Sequence, residues 1–173
     1  LYRELKKLGV PPDRIFRNVY VPLENGKTTE IDIVVVSRKG ILVFEHKAYQ
    51  GMIYGDGRRK EWVQYLGRKK SFFRSPIEQN RYHVERLKEY LGENVPIYGF
   101  ISHSLCGKWK VKNIPEEAHF LEKEGQFMKI YNSLPNNEAV PGRIEMLKEK
   151  FAKMSRPTDG TRERHVEEFG KRS

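Results

Sequence analysis

The stretch Thr29–Gly51, "TEIDIVVVSRKGILVFEHKAYQG", decides the fold. It predicts two apolar strands joined at Arg38–Lys39, with Gly40 giving the turn its freedom in φ. Yet Asp32, Glu45 and Lys47 fall inside those strands, where a sheet favours Val and Ile. A two-residue or a four-residue loop gives the same register, with Asp32 directly opposite Glu45 and Glu30 opposite Lys47. A three-residue loop would instead set Asp32 against His46. In the first register, facing Cβ atoms lie about 4.5–5.5 Å apart on one side of the sheet. Strand alternation puts Lys47 on that side with Glu45, and turns the His46 side chain to the other.

Two facing carboxylates repel, and a divalent cation relieves the repulsion. Oxygen ligands of this kind suit Mg²⁺ or Mn²⁺, which keep several waters and accept phosphate oxygens. Lys47 adds positive charge beside the same spot, suited to holding a phosphate or easing the deprotonation of water. Together these groups fit phosphodiester hydrolysis. The competing reading is an edge strand with charged surface pairs. Val34, Val36 and Val43 share the face and are expected to be buried, which favours a site at a sheet margin.

Around this hairpin the chain reads as α/β (or α+β): a central mixed β-sheet led by an antiparallel meander and flanked by helices. Residues 1–8 predict a helix ended by Gly9. Residues 14–22 predict a strand, and Asn25-Gly26 a turn. Residues 51–57 predict a short strand, and 58–74 a basic loop. The segment 75–92, "SPIEQNRYHVERLKEYLG", has Ser75 as N-cap, Pro76 at the first helical position and Glu78 to complete a capping box. Ile77, Val84, Leu87 and Leu91 make its apolar stripe, which leaves Gln79 on the flank near His83. Strands are expected at 95–102 and 118–122, and a helix at 142–154. The domain is expected to span 1–154, with 155–173 a polar tail or linker.

Charge bounds the partners. The 173 residues carry a net charge of +10, which points to a polyanion such as nucleic acid. In 58–74 the cations Arg58, Arg59, Lys60, Arg68, Lys69, Lys70 and Arg74 interleave with Trp62, Tyr65, Phe72 and Phe73. The cations are the candidate nucleic-acid contacts and Trp62 a candidate core anchor. The single cysteine, Cys106, excludes an internal disulfide and a multi-cysteine zinc site; it is expected to be a buried thiol in a reducing cytoplasm. The five histidines lack metal-ligand spacing. No apolar run approaches the roughly 18 residues that cross a bilayer, so no membrane association is expected.

The hairpin, then Gly51, Trp62 and "SPIEQN" (75–80), resemble the nuclease-related domain, NERD, of the PD-(D/E)xK nuclease superfamily. The likeness covers residues 15–102. It implies a restriction-endonuclease-like core and divalent-metal-dependent hydrolysis of DNA, RNA not being excluded. It further implies Asp32 and Glu45 as ligands of Mg²⁺ (or Mn²⁺) with the His46 backbone carbonyl, Lys47 as catalytic lysine and Gln79 as a helix residue beside the site. The family's first acid lies in a Gly-Glu pair on an N-terminal helix. This chain has no such pair, which leaves Glu4, or an acid preceding Leu1, for that role. The alternative is a nucleic-acid-binding module of the same fold without turnover, serving a fused or associated helicase or similar domain.

Overall fold

A computed structural model describes residues 2–92, 95–103, 107–123 and 125–155. Cys106 and all of the expected tail beyond Ser155 lie outside the described residues. The elements run α1 (Tyr2–Lys7), β1 (Ile15–Pro22), β2 (Thr28–Val36), β3 (Ile41–Lys47), β4 (Gly51–Asp56), β5 (Glu61–Leu66), β6 (Lys69–Arg74), α2 (Pro76–Leu91), β7 (Ile97–His103), β8 (Gly107–Lys112), β9 (His119–Leu121), α3 (Gln126–Ser133) and α4 (Ile144–Met154). They form the expected mixed α/β domain, but with two sheets where one central sheet is expected.

The five-stranded sheet has the order β1-β2-β3-β7-β9. The β1-β2-β3 meander is antiparallel, while β7 joins β3, and β9 joins β7, in parallel. Parallel strands need a long crossover, and here β4–β6 and α2 supply it. Of the two loop lengths that give the expected register, the turn takes the two-residue one: the Ser37 N–H donates to the Gly40 carbonyl at 3.0 Å. Gly40, at φ +147°, is required there, because a Cβ would stand 2.4 Å from the Pro96 carbonyl oxygen.

Helices cover both faces of this sheet. Val34, Val36 and Val43 pack with Leu87 and Leu91 of α2 and with Leu147 and Phe151 of α4. On the opposite face Val35, Leu42, Phe44 and Phe100 pack with Leu5 of α1 and Phe127 of α3. Strand alternation thus sorts the hairpin into two cores, one on each face.

Residues 58–74 are not a loop. They form the antiparallel hairpin β5–β6, turned at Gly67-Arg68 with Gly67 at φ +61°. With β4 and β8 they make a four-stranded sheet of order β6-β5-β4-β8. Its inner face buries Trp62 and Ile53 against Ile77, Ile101 and Phe120, so Trp62 is a core anchor, as expected.

The α2 caps form as read, with one difference. Ser75 accepts from the Glu78 N–H, and Gly92 closes the helix at φ +58°. The reciprocal half of the capping box is absent, because the Ser75 N–H donates to the Lys60 carbonyl at 2.7 Å and Glu78 pairs with Arg81 at 2.8 Å. The stripe also differs: α2 buries Asn80 and His83 beside Ile77, Leu87 and Leu91, while Val84 is only partly buried. Among the described residues no helix is long and apolar enough to cross a membrane.

Candidate active site

The ladder between β2 and β3 follows the expected register from Val36↔Ile41 to Ile33↔Phe44, and stops there. The next rung, Asp32 opposite Glu45, does not close. The Asp32 carboxylate turns to accept the backbone N–H of His46 at 2.8 Å. On its other side Asp32 also lacks a rung: Arg17 pairs with Ile33 and Val19 with Ile31, while the intervening Asn18 adopts φ +49° and leaves the β1 ladder. The sheet therefore opens on both sides of Asp32. The expected Glu30–Lys47 facing is not made. Glu30 pairs with Tyr20 of β1, and Lys47 reaches along its own strand and to α2.

Glu45, at the end of β3, is 1% exposed. Its Oε1 contacts the Lys47 ammonium at 2.6 Å, while its Oε2 is buried without a hydrogen-bond partner. His83 Nδ1 lies 3.8 Å from that oxygen, beyond hydrogen-bond range. Burial pushes the Glu45 carboxyl up to about 7; Lys47 opposes the shift, the Asp32 charge adds to it, and Arg74 weakly opposes it. One ammonium leaves this carboxylate under-compensated, since desolvation disfavours the charged form.

Helix α2 holds the other side of the site. Gln79 Oε1 accepts from Lys47 Nζ at 2.9 Å, so the residue that periodicity places on a flank sits in contact with the lysine. One position along, the Asn80 amide donates to the Val43 and Phe100 carbonyls, at 3.2 and 3.3 Å. It ties α2 to β3 and β7. Gly99 allows this close approach, as a Cβ there would meet Asn80 Oδ1 at 2.0 Å. Asn80 and His83 are the buried polar residues that hydrophobic periodicity misses; the only signal for Asn80 was its place in "SPIEQN". His46 does point to the other face, with Nδ1 3.0 Å from Ser102 Oγ, and burial lowers its pKa.

Glu4 stands apart. Its carboxylate accepts the Gly125 N–H at 2.9 Å, just before α3, and its neighbour Leu5 packs on the sheet face opposite Glu45. The seven cations of 58–74 separate into two groups. Arg58, Arg59 and Lys60 lie in the β4–β5 turn near Arg74, and Arg68, Lys69 and Lys70 at the β5–β6 turn. A six-residue strand, about 17–20 Å long, lies between the groups, so the cations do not form one patch. Arg74 is the member whose charge reaches Glu45.

Among the described residues no three His, Cys, Asp or Glu side chains cluster to hold a metal. A divalent cation here would rest on two carboxylates and the His46 carbonyl. That set suits Mg²⁺, which binds through one or two carboxylates and retains water, and the orphaned Glu45 Oε2 offers it a free acceptor.

A mixed sheet between helices, with an acid-acid-lysine group where its strands part, defines a nuclease-like α/β domain. Comparison with known proteins places it further. The nuclease-related domain model, NERD, matches residues 1–104, and the chain belongs to that family. It is 34% identical over 120 residues to an uncharacterized protein of Bacillus anthracis, an alignment covering 69% of this chain and 57% of that protein. The chain thus spans little more than half the length of the relative it matches. No solved structure matches the chain.

Proposed function

We propose that this domain hydrolyses phosphodiester bonds in DNA, using Mg²⁺ or Mn²⁺ held by Asp32, Glu45 and the His46 carbonyl. The observation that carries this reading is Glu45: a carboxylate buried near a strand end, raised in pKa, with one oxygen on a lysine and the other without a hydrogen-bond partner, 3.8 Å from His83 Nδ1. A fold retains so costly a group where a further positive charge offsets it. Such a cation, when bound, neutralises phosphate charge and acidifies water.

The protein's own residues then have distinct tasks. Lys47 shares its ammonium between Glu45 and Gln79, and one of its three N–H donors remains for a phosphate oxygen. Gln79 fixes the direction in which that ammonium points. Asn80 fixes α2 against β3, and so sets the distance from Gln79 to Lys47. Asp32, braced by the His46 N–H, is held at the mouth of the opening between strands. Catalysis would come mainly from positioning and charge neutralisation.

The test is incubation of the protein with plasmid and linear DNA in Mg²⁺, Mn²⁺ or EDTA. Cleavage should need the metal and be lost in Asp32→Ala and in Lys47→Ala. Cleavage that survives EDTA, or that persists in both variants, overturns the assignment.

One observation favours a second reading, a binding module without turnover. The Glu4 carboxylate accepts the Gly125 N–H before α3, and among the described residues no third acidic or histidine side chain joins Asp32 and Glu45 in a metal-holding cluster. Salt-dependent retention on DNA, with no cleavage under any metal, would select this reading. Recruitment of a linked or associated helicase would then be its role.

A further inference from the structure

We infer that the open face of the four-stranded sheet binds an unpaired nucleic-acid strand, with bases stacking on Tyr54, Tyr65 and Phe72 and phosphates held by Lys70, Lys108 and Lys110. This rests on the nuclease reading only in naming the strand as substrate; the surface itself is independent of the acids.

The register builds the surface row by row. Phe72, Val63, Tyr54 and Lys110 are consecutive partners across β6, β5, β4 and β8. Lys70, Tyr65, Met52 and Lys108 form the neighbouring row. Alternation sends all of these away from Trp62 and Ile53, which point inward. Among the described residues, Tyr54, Tyr65 and Phe72 are 42%, 37% and 61% exposed. A face built for solvent alone would not carry three aromatic rings in adjacent rows.

The rings and cations are already arranged around one another. The Lys70 ammonium lies 4.9 Å from the Phe72 ring centre and 5.9 Å from that of Tyr65, and Lys110 lies 5.5 Å from Tyr54. Tyr54 and Tyr65 meet edge to face at 5.8 Å. Cations beside exposed rings suit a ligand that alternates phosphate with flat bases. A duplex hides its base faces and would leave the rings unused. The acids on this face, Asp56 and Glu61, fall in the row beyond, opposite Lys112 and Arg74 respectively. Arg74, at the end of β6, carries its guanidinium over the Tyr82 ring of α2, 5.5 Å from its centre.

The test measures fluorescence anisotropy of labelled oligonucleotides, about 15 nucleotides long to fill one such platform, in EDTA and in the Asp32→Ala background. These conditions suppress the proposed cleavage, so a failure to bind here speaks against the platform, while a failure to cleave in the separate assay with Mg²⁺ or Mn²⁺ speaks only against the catalytic reading. Oligo(dT), oligo(U) and a DNA duplex are compared, the first two separating DNA from RNA. Single strands should bind at least about tenfold more tightly than duplex. Phe72→Ala and Tyr54→Ala should each weaken binding about 5- to 150-fold, the range for one lost base stack, while Phe72→Trp retains it. Lys108→Ala with Lys110→Ala should lower the salt slope. Equal affinity for duplex, wild-type binding by both alanine variants, or sedimentation as a dimer that Phe72→Ala dissociates would overturn the inference.

Discussion

The two sheets treat their side chains in opposite ways. The five-stranded sheet is covered on both faces, yet it buries a carboxylate, Glu45, at its margin. Among the described residues the four-stranded sheet is covered on one face only, yet it exposes rings that would ordinarily be buried. Charge hidden in one sheet and aromatic surface displayed on the other are each unfavourable for folding alone. Each becomes reasonable if a ligand completes it, a cation in the first and a base-bearing strand in the second. On the proposed reading, departures from hydrophobic patterning, rather than the patterning itself, are the places where this fold would meet other molecules.

Trp62→Ala would break the comparison most severely. Trp62 is 1% exposed and anchors the inner face of the smaller sheet, so its loss should cost about 3–5 kcal/mol in urea unfolding. A cost below about 1 kcal/mol would mean the inner face is not a core.

Glu45 gives the next effect. Its carboxyl has an ordinary value of 4.5 and stands at about 7 when folded, so the fold favours the neutral acid. That contribution is complete below pH 4.5 and is lost as pH rises through about 7. In metal-free protein the loss should approach the order of 3 kcal/mol by pH 8. Thermal melts from pH 5 to 8 should therefore fall for wild type and stay flatter for Glu45→Gln, which would be more stable at pH 8 yet inactive. Identical profiles would remove the claim that Glu45 is under-compensated.

Asn80→Ala should destabilise by about 1–3 kcal/mol, because it leaves buried backbone carbonyls of β3 and β7 without that donor. It should also lower kcat more than it raises KM, through the displaced Gln79. Phe72→Ala sits at the small end. Its ring is 61% exposed, and melting should change by no more than about 0.5 kcal/mol. A large loss would show the ring to be structural rather than displayed for a ligand.

The same contrast explains what could be read from the chain. The β2–β3 register was legible because Val34, Val36 and Val43 alternate with the opposite core and Gly40 fixes the turn. Helix α2 was legible from Ser75, Pro76 and Gly92. The β5–β6 hairpin was not, because its outward residues include Tyr65 and Phe72; rings on both faces erase the apolar-polar alternation that marks a half-buried strand. β8 failed the same test more narrowly, since "GKWKVK" (107–112) does alternate but carries few apolar residues. At the site, the register predicts Asp32 facing Glu45, but the ladder ends one rung short of that pair, and the sequence does not show the parting of the strands. It depends on Asn18 leaving the β1 ladder and on the His46 N–H turning to a side chain, neither of which has a local sequence signal. Asn80 and His83 were hidden for a related reason: polar groups on a buried helix face are placed by tertiary partners rather than by periodicity.

The central claim is that the opening beside Asp32 and Glu45 is a cation site. Crystals of the protein soaked in Mn²⁺ and measured at the manganese absorption edge test it most directly. An anomalous peak bounded by Asp32, Glu45 and the His46 carbonyl is the predicted result. A well-ordered site with no peak, and with the Lys47 ammonium still seated on Glu45, would contradict it.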